Sequence, residues 1–431
     1  MARNPLQLPV IQNWSCHNCG GCCREHMIEI TEDEKKRIDR QGWTSEDGIP
    51  AGVSVTQSVG KGRYRLTHQA DGACIFLDSD GLCRIHAKFG EPAKPLACRV
   101  YPFAFHPAGN QLAVGLRFSC PSVVQNLGQR VVDQTRDLQH LASQVVPDGH
   151  RMPPPPAIHG DQCVEWPDFH RFIVAFDESL TDDAVDFATQ LMRVLSWLEL
   201  VEQSQFETIR GPKLQDFLNL VTKAAARAQP DSDLPVLQPS RTGRTMFRQI
   251  VAQLLRHDTE ATVKAGVGER FRQLMNGIRF TTGIGSIPPL PDPVSAREVF
   301  GTHNGSIRPG FAAAEPGMKG RTPEIDRLMS RYFRVKIQAL HFCGAANFGL
   351  SLVEGFRSLA LMYPATLWVA RIRALSHGRD VISPEDAQAA LTTVDHNYTY
   401  SPVFGMSASI RRLRILGELQ QVTRLCGWYS L

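Results

Sequence analysis

The chain has 431 residues, with 47 Lys and Arg against 43 Asp and Glu, for a formal net charge of +4. At roughly 100–200 residues per domain, that length suggests two or three domains and ample material for a packed core. Hydrophobic residues at 42% and charged residues at 21% exclude wholesale disorder, and the absence of a long basic run leaves nucleic-acid binding without an electrostatic case.

The opening stretch, MARNPLQLPVIQNWSC, carries a single Arg and no apolar core long enough for a secretory signal. Thr31-Glu-Asp-Glu34 has capping-box spacing and predicts a short charged helix through about Arg40. Tyr64–Thr67 and Cys74–Leu77 read as short strands. Asp78-Ser-Asp-Gly81 supplies turn chemistry before a further strand at Leu82–His86, so Cys74 and Cys83 are expected to flank a tight hairpin. A second strand pair is expected over Ala104–His106 and Leu112–Phe118, turning at Pro107-Ala-Gly-Asn110. The proline run inside Asp148–Ala157 then favours an extended connector.

Helical periodicity dominates beyond the prolines. Thr181 is placed to cap a helix whose face carries Val185, Ala188, Met192 and Leu195, widened by Phe187, Leu191 and Val194. Lys213–Ala226 is a second amphipathic segment, and Gln229–Arg241 reads as a loop. Thr322 before Pro323 opens a helix through His341, and Ser383 before Pro384 opens another. The most apolar window, Gly349–Leu375, is interrupted by Glu354, Arg357 and Pro364. A bilayer span needs about 20 predominantly apolar residues, so this window reads as a buried helix pair. The expectation is an α+β fold in a soluble, cytoplasmic protein with no membrane span. Residues 1–150 would form a small irregular cysteine-rich metal-binding module, and residues 160–431 a larger, mainly α-helical region.

The cysteines carry the chemistry. Of the 11, eight fall within the first 120 residues: Cys16, Cys19, Cys22, Cys23, Cys74, Cys83, Cys98 and Cys120. Cys163, Cys343 and Cys426 are isolated and read as core residues. Cys16-His-Asn-Cys19-Gly-Gly-Cys22-Cys23-Arg24 is a C-x2-C-x2-C run broken by glycines, which permit positive φ and let backbone amides turn toward anionic sulfur. The spacing matches the first three ligands of a ferredoxin run, with the fourth to be supplied from elsewhere. Adjacent Cys22 and Cys23 diverge and seldom share an ion. Eight thiols suit two four-cysteine sites, or one site with further sulfurs around it. Thiolates take both Zn²⁺ and iron–sulfur clusters; a dense triplet plus scattered cysteines fits a cluster somewhat better than paired zinc knuckles. His17, His26, His86 and His106 lie near enough in sequence to replace a sulfur. Arg24 and Arg99 each follow a cysteine, either to offset thiolate charge or to make surface ion pairs.

Those motifs resemble the CxxCxxCC family of zinc- or iron-chelating proteins, which includes flagellin lysine N-methylase. The resemblance runs from Cys16–Arg24 through Asp71-Gly-Ala-Cys74-Ile-Phe-Leu77, Gly81-Leu-Cys83-Arg-Ile-His86 and Lys94-Pro-Leu-Ala-Cys98-Arg-Val-Tyr-Pro-Phe103 to Cys120-Pro121. It implies a thiolate-bound centre, most plausibly a [4Fe-4S] cluster with Zn²⁺ as the alternative. By the same resemblance, the cosubstrate would be S-adenosylmethionine and the partner a flagellin-like protein offering a lysine ε-amine. A non-catalytic metal-binding or interaction protein, or a redox or metal sensor, is the competing reading. No Rossmann signal supports the transferase on its own: Gly266-Val-Gly268 and Gly283-Ile-Gly285 read as turns. Ile410–Leu416 reads as a basic amphipathic helix face, and Asp395-His396-Asn397-Tyr398 with Tyr400 as helix-end packing that holds an Asp–His pair.

Overall fold

A computed structural model describes residues 5–146, 153–228, 237–256, 267–315 and 320–430. The Asp148–Met152 half of the proline connector, the Gln229–Val236 part of the predicted loop and Gly266 lie outside the described residues. The architecture is α+β: two small sheets in the N-terminal part, then a larger helical body.

In the first sheet Arg63–Leu66 is central, antiparallel to both Glu29–Ile30 and Thr56–Gly60. The predicted capping box precedes it. The Thr31 hydroxyl accepts the Glu34 N–H at 3.2 Å while the Glu34 carboxylate accepts the Thr31 N–H at 2.8 Å, starting the Glu32–Asp39 helix. This region buries its own small apolar cluster, built on Ile30, Ile38, Leu66, Ile75, Phe76 and Ile85.

In the second sheet Phe103–Ala108 and Gln111–Leu116 form the expected hairpin, turning through Gly109 at φ +74°, and Leu6–Gln7 adds a parallel edge. Both of its faces contribute to the large core that continues through the helices to Tyr429, Phe103, Val114 and Leu116 from one side and Ala113 from the other. Gly115 lets the strand approach the end of the Pro323–Gln338 helix, since a Cβ there would lie 2.9 Å from that of Ala339.

Two strand expectations fail. Cys74–Leu77 forms only isolated bridges, His68 to Cys74 and Leu77 to Cys83, because the segment turns back on itself, the Leu77 N–H donating to the Cys74 carbonyl at 2.9 Å. Leu82–His86 is not a strand: Cys83 caps the helix Arg84–Phe89, which ends at Gly90 with φ +83°. The hairpin between them survives as a turn in which the Asp78 carboxylate accepts the N–H groups of Asp80 (3.0 Å) and Leu82 (2.7 Å).

Among the helices, Pro212–Ala228, Pro323–Gln338 and Pro384–Asp395 sit where the periodicity and caps place them. Thr181 does not cap the Phe187–Glu202 helix. Its hydroxyl donates to the Glu178 carbonyl at the end of the preceding helix, and Asp186 takes the cap, accepting the Thr189 N–H at 2.8 Å. The apolar window forms the buried pair Leu352–Ala360 and Met362–Ser376. Pro364 is tolerated in the first turn of the second helix, where an N–H has no intrahelical partner anyway. No helix among the described residues is long and apolar enough to cross a membrane.

Candidate metal centre

The loop carrying the first cysteines is tied at its base, where Trp14 and Ser15 donate backbone N–H groups to Gln129 (2.8 Å) and Leu127 (3.1 Å). It then turns through two left-handed residues, Asn18 at φ +56° and Gly20 at φ +67°. Gly20 has the positive φ read from the sequence; Gly21 does not. Gly21 opens the short helix Gly21–Glu25, and it is small because a Cβ there would overlap the side chain of Ser295 in the helical body. Ser295 in turn donates its N–H (2.6 Å) and hydroxyl (2.9 Å) to the Glu25 carboxylate. The helix bearing Cys22 and Cys23 is therefore clamped by contacts distant in sequence.

The other thiols come from separate elements. Cys74 is drawn in by its N–H, which donates to the Cys23 carbonyl at 2.7 Å. Cys83 and Cys120 occupy the caps of Arg84–Phe89 and Pro121–Val124, and Cys98 lies in Leu96–Val100. The Asp78–Leu82 turn packs against the loop so closely that a Cβ on Gly81 would lie 2.5 Å from the Asn18 carbonyl oxygen.

All eight N-terminal cysteines line two adjoining cavities. Cys22, Cys23, Cys74, Cys83 and Cys98 wall a space of about 260 Å³ together with His26, Lys94, Tyr101 and Arg117. Cys16, Cys19 and Cys120 line a larger space of about 650 Å³, which also touches Cys22, Cys23, Cys83 and Cys98. Among the described residues, no three Cys, His, Asp or Glu side chains converge closely enough to grip a single ion. Cys343 and Cys426 are buried core residues elsewhere, and Cys163 is exposed rather than in the core.

Burial dominates the thiol electrostatics. It pushes Cys74 up to about 12 and raises Cys98 further, the neighbouring cysteines adding to both. Cys120 is pushed up to about 12, while the Val123 amide and the Trp14 indole N–H favour its thiolate. Cys22 is raised well above the ordinary range, first by its contact with the Cys23 thiol and then by burial. Clustered thiols fit a thiophilic centre: on its own the pocket keeps Cys22, Cys74, Cys98 and Cys120 protonated, and a bound metal would replace those protons.

The histidines divide. His17 contacts the Ser122 hydroxyl at 3.2 Å and lines the larger cavity, as does His86. His26 packs on Tyr101 and stacks on His396 at 5.6 Å, bringing the helical body to the cavity wall. His106 faces away and packs on His341 at 4.6 Å. Arg24 and Arg99 make ion pairs with Asp71 and Glu91, each at 2.8 Å, and the Arg99–Glu91 pair lines the larger cavity. On the wall of the smaller cavity the cations are Lys94 and Arg117, neither of which stands out as a charge in the sequence.

Behind Arg117, Asp395 and Lys336 form an ion pair of 2.8 Å with neither side chain exposed. Asp395 also accepts the Phe118 N–H (2.6 Å) and the Tyr332 hydroxyl (3.0 Å). Asp395 ends the Pro384–Asp395 helix, as the helix-end reading expects, and pairs with Lys336, while His396 turns to His26. Gly283 and Gly285 occupy turns, at φ +67° and +81°. Arg412 lies on the Ser407–Glu418 helix, whose Leu413 and Leu416 are buried.

Comparison with known proteins matches this region. Residues 15–121 fit the CxxCxxCC family, described as "Putative zinc- or iron-chelating domain". A lysine-N-methylase of Salmonella typhimurium is 27% identical over 125 residues, covering 27% of this chain and 30% of that protein. The flagellar biosynthetic protein FliU of Salmonella muenchen is 26% identical over 125 residues, 27% of this chain and 72% of FliU. The match thus spans less than a third of the methylase, and no solved structure matches the chain. Through residues 15–121, a quarter of its length, the chain is similar to the CxxCxxCC family.

Proposed function

We propose that the N-terminal thiols hold an iron–sulfur centre, a [4Fe-4S] cluster, with Zn²⁺ as the alternative metal. The observation that carries this reading is the lining of two adjoining cavities by Cys16, Cys19, Cys22, Cys23, Cys74, Cys83, Cys98 and Cys120. A tetrahedral zinc site draws its sulfurs to about 2.3 Å from one point. Five of these thiols, Cys22, Cys23, Cys74, Cys83 and Cys98, stand instead around a space of about 260 Å³, which suits a multi-atom cluster better than a lone ion. Residues 1–150 then act as the metal-binding domain and residues 160–431 as a helical domain that braces it, in the cytoplasm. Likeness to a lysine-N-methylase extends the reading to methyl transfer from S-adenosylmethionine to a protein lysine. That transfer needs a neutral amine in line with the sulfonium methyl, in a site closed to water. A bound centre would supply order to the cysteine loops or a binding surface for the cosubstrate, since methyl displacement moves no net electron.

One observation favours a purely structural metal instead. The cysteine region's own apolar cluster is small, and a metal would fasten loops that such a cluster holds weakly. Anaerobic purification followed by iron, zinc and acid-labile sulfide analysis tests the centre. Iron with equal sulfide and a broad visible band that bleaches on reduction is expected, and Cys74→Ser with Cys98→Ser, which removes two thiols of the smaller cavity, should strip it. Zinc without sulfide overturns the cluster. Calorimetry with S-adenosylmethionine tests the transferase, which a loaded protein giving no binding heat would refute.

A further inference from the structure

Arg117 stands on the wall of the smaller thiol cavity but belongs, in its contacts, to the helical body. Its guanidinium lies 3.8 Å from the centre of the Tyr400 ring and 5.8 Å from that of Tyr101. One terminal nitrogen donates to the His396 carbonyl at 3.1 Å. The next residue's N–H is locked on Asp395 at 2.6 Å, which fixes the backbone that presents the side chain. Among the described residues no carboxylate lies within ion-pair distance of Arg117, and its buried Nε has no hydrogen-bond partner. Glu25 is near enough for Arg117 to favour its ionised form, but its oxygens are occupied by Ser295. Lys336, the next cation inward, is already neutralised by Asp395. A half-buried guanidinium with a buried, unbonded Nε and no anion beside it is costly unless something negative completes its surroundings.

Four thiolates around a doubly charged centre leave two negative charges, whether the centre is Zn²⁺ or an oxidised [4Fe-4S] core. We infer that Arg117 is the counter-cation of the centre held by the thiols of the smaller cavity, a positioning residue aimed there by Tyr400 and the His396 carbonyl. The inference rests on the metal reading above. Its consequence for a cluster is a raised reduction potential, because the cation stabilises the more negative reduced form; for zinc it is tighter retention. Lys94, half-buried on the same wall, acts in the same direction.

The test uses the full-length protein, purified without oxygen, as wild type, Arg117→Lys, Arg117→Gln and Tyr400→Leu. Metal and sulfide per chain are measured first, then the midpoint potential by dye-coupled titration, or zinc competition against a chelator if zinc is found. Arg117→Gln with wild-type metal content should disfavour the reduced cluster about tenfold, a midpoint lower by ~59 mV for a one-electron couple, or weaken zinc by a similar factor. Tyr400→Leu should move the same way, and Arg117→Lys should stay near wild type. Loss of metal in Arg117→Gln but not in Arg117→Lys also supports the role, since charge then decides. Equal potentials or equal zinc competition in wild type and Arg117→Gln would overturn it, as would identical loss of metal in both Arg117 variants, which marks packing alone. A wild-type protein that holds no metal refutes the centre itself, and is distinguishable because every variant then matches it.

Discussion

Replacing Asp395 by Asn is expected to destabilise the protein by about 3–5 kcal/mol, the usual cost of stranding one member of a buried ion pair. Asp395 and Lys336 are both fully buried, with 2.8 Å between Oδ1 and Nζ. The carboxylate collects donors from three sources: Lys336, the Phe118 N–H and the Tyr332 hydroxyl. An Asn amide offers one oxygen to these and points N–H groups at the rest. The ammonium is left facing the Leu116 carbonyl at 3.5 Å and His341 Nδ1 at 3.3 Å, too little to replace a carboxylate. Burial already holds the Lys336 amine below its ordinary pKa, with Asp395 pulling the other way. Lys336→Met removes the charge and fills similar volume, so the double variant should recover part of the loss. Urea unfolding of wild type, both single variants and the double variant measures the coupling, expected at the upper end of the ~0.5–3 kcal/mol range for contacting pairs. Single-variant losses that simply add, or an Asp395→Asn midpoint equal to wild type, would refute a buried ionic contact at this place.

Gly21→Ala should loosen the clamp between the cysteine helix and the helical body, because the new methyl meets Ser295, whose Cα lies 2.7 Å from the ideal Cβ position. Overpacking of this kind costs about 1–3 kcal/mol, and the variant should release metal faster to a chelator with every thiol intact; unchanged release and unchanged unfolding would count against the clamp. Stability should also fall in mild acid. Burial holds His106 and His303 down at about 4 against an ordinary 6.5, so between those values the unfolded chain binds protons that the folded one refuses. Stability is therefore whole above about pH 6.5, declines toward about pH 4 and levels below it, by on the order of 3 kcal/mol per histidine. Denaturant titrations across that range check it, and a His303→Asn variant with an undiminished slope would show that this ring is not responsible.

Local chemistry was legible in the sequence. The Thr31–Glu34 and Ser383–Asp386 caps are complete within a few residues, and both helices start where their caps place them. The hairpin through Gly109 is equally local. The cysteine set was legible because its spacing and glycines have few other uses, and the fold brings all eight to the same pair of cavities. What stayed hidden depends on contacts far along the chain. Gly21 looks like a turn glycine until Ser295 is seen against it. Cys74–Leu77 carries strand residues, yet its pairing is taken by Cys23 and Thr67, so the segment bends to deliver a thiol. Thr181 looks like a cap until Glu178 claims its hydroxyl and leaves the role to Asp186. Arg117 carries no signal at all, since its direction is set by Tyr400 and His396 near the other end of the chain.

These long-range contacts explain why a compact metal module would be carried on so large a helical body. The first sheet and its apolar cluster position Cys74 and Cys83, but Cys98 and Cys120 flank a hairpin that belongs to the main core. The Cys22–Cys23 helix is held by Glu25 on Ser295, and the cavity wall is finished by His26 on His396 and Arg117 on Tyr400. A shift of the helices around Ser295, His396 or Tyr400 must therefore move a thiol, a ring or a charge at the cavities. The reverse also holds: metal binding that draws the thiols inward pulls on the same three contacts. By linkage, a ligand that favours one arrangement of the body changes the metal affinity by the factor by which metal changes the affinity for that ligand.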